Sequence, residues 1–196
     1  MLDFIKKSIV LLFCLVISPV IVLVYADRII GRRQIFFDSF AQAFALVPGI
    51  FGVYLRAAFY HATLDKCSWD IHLGFGSFFS RRGASVGRSV TTSAFCIIGD
   101  VRIGDEVLIG SRVSITSGKR HHLDESGELS RYADIVYESV EIGASSWIGE
   151  GSVVMADIGH GSMVAAGSVV SNPMPAYSII GGNPARVLKS IDSKKT

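Results

Sequence analysis

Two adjacent histidines, His121 and His122, stand in the polar stretch Ser117-Gly-Lys-Arg-His-His-Leu-Asp124. An imidazole with an ordinary pKa near 6.5 takes up a proton at neutral pH and gives it back, so the pair is equipped for general acid and base work. The same residues also suit a plain surface loop. Asp124 either orients one imidazole through its second nitrogen or solvates the loop. His72 and His160 each stand alone and are read as structural. The five histidines lack a three-ligand grouping, so no metal is expected. Cys14, Cys67 and Cys96 are odd in number and without metal-ligand spacing, which points to reduced thiols in a cytosolic setting.

What must position these groups is a repeat. Aliphatic-glycine pairs recur at Ile103-Gly104, Ile109-Gly110, Ile142-Gly143, Ile148-Gly149 and Ile158-Gly159. A six-residue step fits neither a helix nor an ordinary strand. It fits a chain coiled into a three-sided prism, with one short strand per side and one inward aliphatic side chain on each. Glycine after that side chain lets the corner turn tightly. Counting by six places Ile97, Ile103, Ile109 and Ile115 in one inward series, Ile142, Ile148 and Val154 in a second, and Ile158, Val164 and Val170 in a third. Upstream, Phe79, Ser85 and Thr91 take the inward positions of a weaker pattern. The steps from Ile115 to Ile142 and from Val154 to Ile158 break the count, so residues 116–140 read as a loop leaving the prism at a corner.

The chain has 196 residues, 49% hydrophobic and 18% charged, and its apolar excess lies before Leu64. With a net charge of +2 and no basic stripe interleaved with aromatics, a nucleic-acid partner is excluded. Ile9 to Tyr25 is apolar but for Ser18-Pro19, with Lys6-Lys7 before it and Arg28, Arg32 and Arg33 after it. A signal peptide, a spanning helix and a re-entrant hairpin all remain open. Positive charge at both ends and proline near the midpoint favour the hairpin, with arms of about eight residues and about 12 Å. The Ser-Pro break resembles the re-entrant helix of monotopic phosphoglycosyl transferases, which act on lipid-linked sugars. Next, Gln34, Asp38 and Gln42 share one helix face and Phe36, Phe40, Phe44 and Val47 another. That pattern predicts an interfacial helix, followed by a second apolar helix over 50–60, or else two helices packed on the prism or on a neighbouring subunit.

Four stretches carry a broader resemblance: Ile103-Gly-Asp-Glu-Val-Leu-Ile-Gly110, Ser146-Trp-Ile-Gly149, Ala165-Ala-Gly-Ser168 and Gly181-Gly-Asn-Pro-Ala-Arg-Val187. From Val107 onward the chain resembles the hexapeptide-repeat acyltransferases, and within them the branch that O-acetylates sugars and polysaccharides. The resemblance implies a mainly β fold, a left-handed parallel β-helix, here preceded by N-terminal membrane-associated helices. It implies a homotrimer, with acetyl-CoA as acyl donor and no metal. The expected boundaries are 1–33 for the membrane helix, 34–64 for the amphipathic helices, 65–180 for the β-helix with its insertion at 116–140, and 181–196 for the tail.

In that family a loop histidine is the general base on the acceptor hydroxyl, which attacks the acetyl thioester. Here the resemblance implies His122 or His121. It also implies that Trp147 flanks the pantetheine channel, or packs between subunits. The Ala166 amide would hold the pantetheine arm, Ser171 would approach the nucleotide end, and Arg186 and Lys189 would lie near the CoA phosphates. Asn172 stands where many relatives carry lysine, with Lys194 and Lys195 as possible substitutes. Ser93 lies roughly where an acceptor-binding asparagine is expected, and Asp124 joins it on the substrate side. The expected function is O-acetylation of a sugar hydroxyl on a lipid-linked or nascent polysaccharide, at the cytoplasmic face of a bacterial inner membrane. A soluble sugar nucleotide or other small acceptor is the alternative, as is a non-catalytic trimeric scaffold in glycan assembly.

Overall fold

The computed structural model describes residues 2–30, 34–117 and 138–192. Four helices come first: α1 (Leu2–Val16), α2 (Ser18–Ile30), α3 (Ile35–Ala45) and α4 (Gly49–Thr63). The strands that follow are two to six residues long and wind into stacked coils. The first coil is β1 (Lys66–Cys67), β2 (Ile71–Leu73) and β3 (Phe78–Phe79), and the second is β4 (Ser85–Val86), β5 (Val90–Thr92) and β6 (Ile97–Ile98). The third is β7 (Val101–Ile103), β8 (Leu108–Ile109) and β9 (Ser114–Ile115), and the fourth is β10 (Val140–Ile142), β11 (Trp147–Ile148) and β12 (Val153–Val154). Ile158, bridged to Ile142, opens a fifth coil with β13 (Met163–Val164) and β14 (Val169–Val170). Then β15 (Ser178–Gly182) turns back into the antiparallel β16 (Ala185–Ser190).

Each strand pairs in parallel with its equivalent one coil away, which gives three flat faces. The first face is β1-β4-β7-β10, the second β2-β5-β8-β11-β13-β15 and the third β3-β6-β9-β12-β14. This is a parallel β-helix, the architecture that the six-residue period predicts. Two side chains per face of each coil point inward, one aliphatic and the other a valine or a serine, as in Val107/Ile109, Val113/Ile115, Ser146/Ile148 and Ser162/Val164. Burying each branched aliphatic contributes about 1.5–3 kcal/mol. The buried serines are satisfied: Ser146, Ser162 and Ser178 donate to the corner carbonyls of Gly159 (3.2 Å), Pro175 (3.0 Å) and Ala176 (3.2 Å). Ser162 and Ser178 N–H groups donate in turn to the serine hydroxyl one coil below, at 3.4 and 3.1 Å.

Three expected inward positions are corrected. Ile97 faces out at 49% exposure and Ile98 is buried; likewise Val86 and Thr92 point inward in place of Ser85 and Thr91. The cause lies at the edge between third and first faces, hereafter the return edge. There the corner after β3 spans residues 80–84, and the corner after β6 is only Gly99 and Asp100. Counting back by six from Ile103 therefore lands one residue off. Residues 116–139 separate β9 from β10 at this same edge, and Val140 already pairs with Val101.

The helices close the N-terminal mouth of the prism. Tyr60 is buried against Phe79 (ring centroids 5.0 Å), Phe59 (5.2 Å) and Phe37 (6.3 Å), and its hydroxyl accepts the Phe79 N–H at 3.1 Å. The helices are tied at both ends of α3. Asp27, itself buried, accepts the N–H groups of Phe36 (2.9 Å) and Phe37 (3.0 Å), a carboxylate cap at the positive end of the helix dipole. At the other end the Arg56 guanidinium donates to Phe44 O (3.0 Å), Val47 O (2.8 Å) and Leu73 O (3.0 Å). The buried face of α3 is Phe37, Ala41 and Ala45. Of the expected apolar face, Phe36 is exposed, and Phe40, Phe44 and Val47 are partly buried against the core. Both α3 and α4 pack on the first coil.

At Ser18-Pro19 the helix axis bends by 69° between α1 and α2. Proline sits in the first turn of α2, where its missing N–H costs nothing. Among the described residues no single helix is long and apolar enough to cross a membrane, while this bent pair meets that test together. The arms are longer than the expected eight residues, 15 in α1 and 13 in α2, because α1 includes residues from Leu2 and α2 runs on to Ile30. At about 1.5 Å per residue they reach about 20 Å each. Phe4, Leu11, Leu12, Leu15, Val16, Val22 and Ile29 leave much of their apolar surface uncovered.

Candidate active site on the faces and edges of the prism

Side chains alternate along a strand, so each buried residue leaves its neighbour outside. On the second face the outward row runs His72, Thr91, Leu108, Trp147, Met163 and Ile179, each in register with the next. Leu108, Trp147 and Met163 are 51%, 50% and 43% exposed, an apolar band in the middle of the row. The outward row of the first face is Lys66, Ser85, Arg102 and Glu141, which is polar throughout. Trp147 thus stands on the apolar side of the prism.

Ala166 lies on the edge between second and third faces. Its neighbours pair, Ala165 N–H with Ile180 O and Gly167 N–H with Glu150 O, both at 2.8 Å. Among the described residues the Ala166 N–H itself has no partner. A Cβ on Gly149 would lie 2.5 Å from that nitrogen, so glycine one coil below leaves the amide uncovered. An open backbone donor on an exposed corner suits an amide-bearing arm such as pantetheine. Arg186 and Lys189 are exposed on β16, at the C-terminal end of the same face, and Lys189 lies beside Ile179. They suit the phosphates of such a ligand. Ser93 sits on the same edge as Ala166 but three coils lower; its carbonyl accepts the Ser77 hydroxyl at 2.7 Å.

Ser171 lies elsewhere, at the far end of β14 on the return edge. The same edge releases the segment that carries the histidine pair. His121, His122 and Asp124 themselves fall outside the described residues, as do Lys194 and Lys195. The root of the segment is fixed: Ser117 is buried, and its hydroxyl accepts the Asp100 N–H at 2.7 Å. In a triangular prism the return edge is opposite the second face. One protomer therefore keeps the root of the histidine segment away from Trp147, with Ala166 and Ser93 on an edge between them.

Three residues around the lower end of the second face escaped the sequence reading as site candidates: Lys6 of α1, Trp69 on the corner before β2, and His72 of β2. His72 was readable as outward, since it alternates between Ile71 and Leu73. Its pKa is lowered by burial first and then by the Arg56 and Lys6 charges, which keeps the ring neutral at pH 7. His160 lies at an outer corner with its ring edge-to-face on Tyr177, centroids 4.6 Å apart, consistent with a structural role. No metal-binding cluster of His, Cys, Asp or Glu occurs among the described residues.

No family model matches the chain. In sequence it is 29% identical over 143 residues to the galactoside O-acetyltransferase of Escherichia coli (strain K12), covering 68% of this chain and 66% of that protein. Against a bifunctional protein GlmU of Streptococcus pyogenes serotype M5 (strain Manfredo) and a 2,3,4,5-tetrahydropyridine-2,6-dicarboxylate N-acetyltransferase of Clostridium perfringens (strain SM101 / Type A), it spans a third of their length or less. Among solved structures, a maltose O-acetyltransferase from Clostridium difficile 630 superposes with a TM-score of 0.68 at 24% identity, covering 80% of this chain and 86% of that one. A galactoside acetyltransferase in complex with coenzyme A gives 0.59 at 23% identity, covering 81% and 80%. The structural matches establish the fold, and two of these three sequence relatives are acetyltransferases by name. By sequence and by fold, then, the chain is similar to the hexapeptide-repeat acetyltransferases, O-acetyltransferases among them.

Proposed function

We propose that this protein is an acetyl-CoA-dependent O-acetyltransferase, acting as a homotrimer at the cytoplasmic face of a bacterial inner membrane. It transfers acetyl to a sugar hydroxyl of a lipid-linked or nascent polysaccharide. The observation that carries the reading is the opposition of the return edge to the second face. A histidine leaving one protomer meets a donor channel beside Trp147 most directly when that channel belongs to a neighbour. Exposed Ile97, Leu108, Trp147 and Met163 on the second and third faces support such packing, and the polar first face suits solvent. The bent pair α1 and α2, with its uncovered apolar side chains, supports the membrane assignment.

The Ala166 amide and Gly149 would hold the pantetheine arm, Trp147 would wall it, and Arg186 and Lys189 would hold phosphate. Ser171, across the third face from Ala166, would reach the nucleotide end. The donor supplies a thioester-activated acetyl group. His122 or His121 accepts the proton of the acceptor hydroxyl as its oxygen attacks the thioester carbon, and returns that proton to the departing thiolate. Ser93 and Asp124 are assigned to the acceptor side.

The test is acetyl transfer from acetyl-CoA to glycolipid extracted from membranes, run beside free sugar nucleotides. Turnover with glycolipid alone is expected, together with loss of turnover in His121→Ala or His122→Ala. Full activity in both single variants would refute the mechanism. Absence of CoA binding by calorimetry would leave the scaffold reading in its place.

A further inference from the structure

Between α1, α4 and the first two coils lies a cleft of about 390 Å³. Its two walls differ in chemistry. The helix wall offers Val10, Ile50 and Tyr54, and the prism wall offers Trp69, His72 and Thr91. At the rim Asp70 accepts the Ser89 hydroxyl at 2.7 Å and meets Lys6 at 3.5 Å. Among the described residues, the Trp69 indole, the Tyr54 and Thr91 hydroxyls and the His72 imidazole make no hydrogen bond. A flat indole, a carboxylate, two hydroxyls and a neutral imidazole that both donates and accepts match a pyranose ring, with its apolar face and its ring of hydroxyls.

The helix wall has a continuation. Ile50 at the mouth is 68% exposed, and beyond it Phe51, 60% exposed, packs edge-to-face on Phe13 of α1 at 4.9 Å. This apolar track runs from the cleft onto the uncovered side of the bent helix pair. In the other direction the prism wall rises along the second face, His72 to Thr91 to Leu108 to Trp147, in consecutive register. At about 4.8 Å per coil, Thr91 stands about 10 Å below Trp147.

We propose that this cleft seats the sugar headgroup of a glycolipid acceptor, with the lipid chain lying along Ile50 and Phe51 toward the bilayer. This assignment rests on the acetyltransferase reading above and adds to it the place where the acceptor's sugar and lipid are held and the residues that select them. Trp69 and Tyr54 contact the ring, His72, Thr91 and Asp70 bind hydroxyls, and Ile50 discriminates a lipid-linked sugar from a free one.

The full chain in phosphatidylcholine nanodiscs, carrying Trp147→Phe so that Trp69 is the remaining tryptophan, gives a direct optical readout. Octyl β-D-glucoside below its micelle concentration should change Trp69 fluorescence saturably, with a Kd at least tenfold below that of methyl β-D-glucoside. Octyldimethylamine oxide, a tail without a sugar, should give no saturable change. The double variant His72→Ala/Thr91→Val should weaken octyl glucoside at least fivefold. Ile50→Asp, at an exposed position that does not threaten folding, should reduce octyl glucoside to the level of the methyl glycoside. Equal binding of the sugarless amphiphile, equal binding of the methyl glycoside, or indifference to both variants would overturn the assignment. Acetyl transfer to membrane glycolipid separates the two readings. Transfer unchanged by the cleft variants sinks the cleft, whereas cleft-dependent binding with no transfer sinks the acetyltransferase and leaves the cleft standing.

Discussion

Replacing Arg56 by methionine tests whether the helices and the prism form one folded unit. Arg56 is 1% exposed, and its guanidinium makes three hydrogen bonds of 3.0 Å or less, to Phe44 O, Val47 O and Leu73 O, with a fourth at 3.4 Å to Ala45 O. Methionine keeps the apolar stem and recovers the desolvation cost of a buried charge, a stabilising change of several kcal/mol at most. Against it stand the Val47 and Leu73 carbonyls left without donors, at about 1–3 kcal/mol each, while Phe44 O keeps the Val47 N–H at 3.2 Å, and a lost cation at the C-terminal end of α3, about 0.5–1 kcal/mol. Water cannot replace the donor beside Val47, because that carbonyl packs against Gly52, where an added Cβ would lie 1.9 Å from its oxygen. The loss therefore wins, and a net destabilisation of about 2–4 kcal/mol is expected. Urea melting of the detergent-solubilised protein measures it, with limited proteolysis reporting release of the helices. Arg56→Lys, a point charge that cannot span three acceptors, should recover less than half. A loss below about 1 kcal/mol for the methionine variant would refute the account.

Asp27→Ala should cost about 1–2 kcal/mol, by uncapping α3, and be read as a lower melting temperature; an unchanged melt would show that the two N–H groups find other acceptors. His72 has a lowered folded pKa, so below about 6.5 the unfolded chain holds a proton that the folded chain lacks. Stability should fall as pH drops from 6.5 toward the folded value, and His72→Gln should flatten that limb between pH 7.5 and 5. Burial pushes the Cys67 thiol up to about 12, so iodoacetamide at pH 8 should label it slowly in the native protein and rapidly in urea; equal rates would refute its burial. One glycine inserted after Arg81, on the return edge, should cost under about 1 kcal/mol by loop entropy, whereas the same insertion after Gly149 should cost several times more. Comparable melts for the two insertions would contradict the edge geometry.

Much of the fold was legible because a few residues are chemically constrained. Ile109, Ile115, Ile148, Val154, Val164 and Val170 are inward as the six-residue count requires, and Pro19 marks the bend. The count failed at Ile97, Thr91 and Ser85 because it presumes corners of equal length. The site was less legible than the fold. Trp69 and His72 gain meaning only beside α1 and α4; α4 is tied to the first coil by Arg56 and Leu73, 17 residues apart, and α1 packs on α4.

The failures of the count are not scattered. From first to second face the inward series steps by six throughout: Cys67 to Leu73, Val86 to Thr92, Ile103 to Ile109, Ile142 to Ile148 and Ile158 to Val164. From second to third it does the same, Leu73 to Phe79 through Val164 to Val170. Every departure falls on the return edge: Phe79 to Val86, Ile98 to Ile103, Ile115 to Ile142 and Val154 to Ile158. The glycines give a physical reason. At the two regular edges a Cβ on Gly104, Gly110, Gly143, Gly149 or Gly159 would lie 2.2–2.7 Å from backbone nitrogen one coil above, so those corners stack main chain on main chain and cannot change length alone. On the return edge the nearest atoms to a Cβ on Gly83 all belong to the Asp100 side chain, from 2.7 Å, whereas Gly99 there and Gly87 on a regular edge meet a side-chain oxygen first, at 2.5 and 2.4 Å, with backbone nitrogen at 2.8 Å behind it. A corner propped by side chains tolerates added residues, and the sequence places its long insertion, with both adjacent histidines, at that edge.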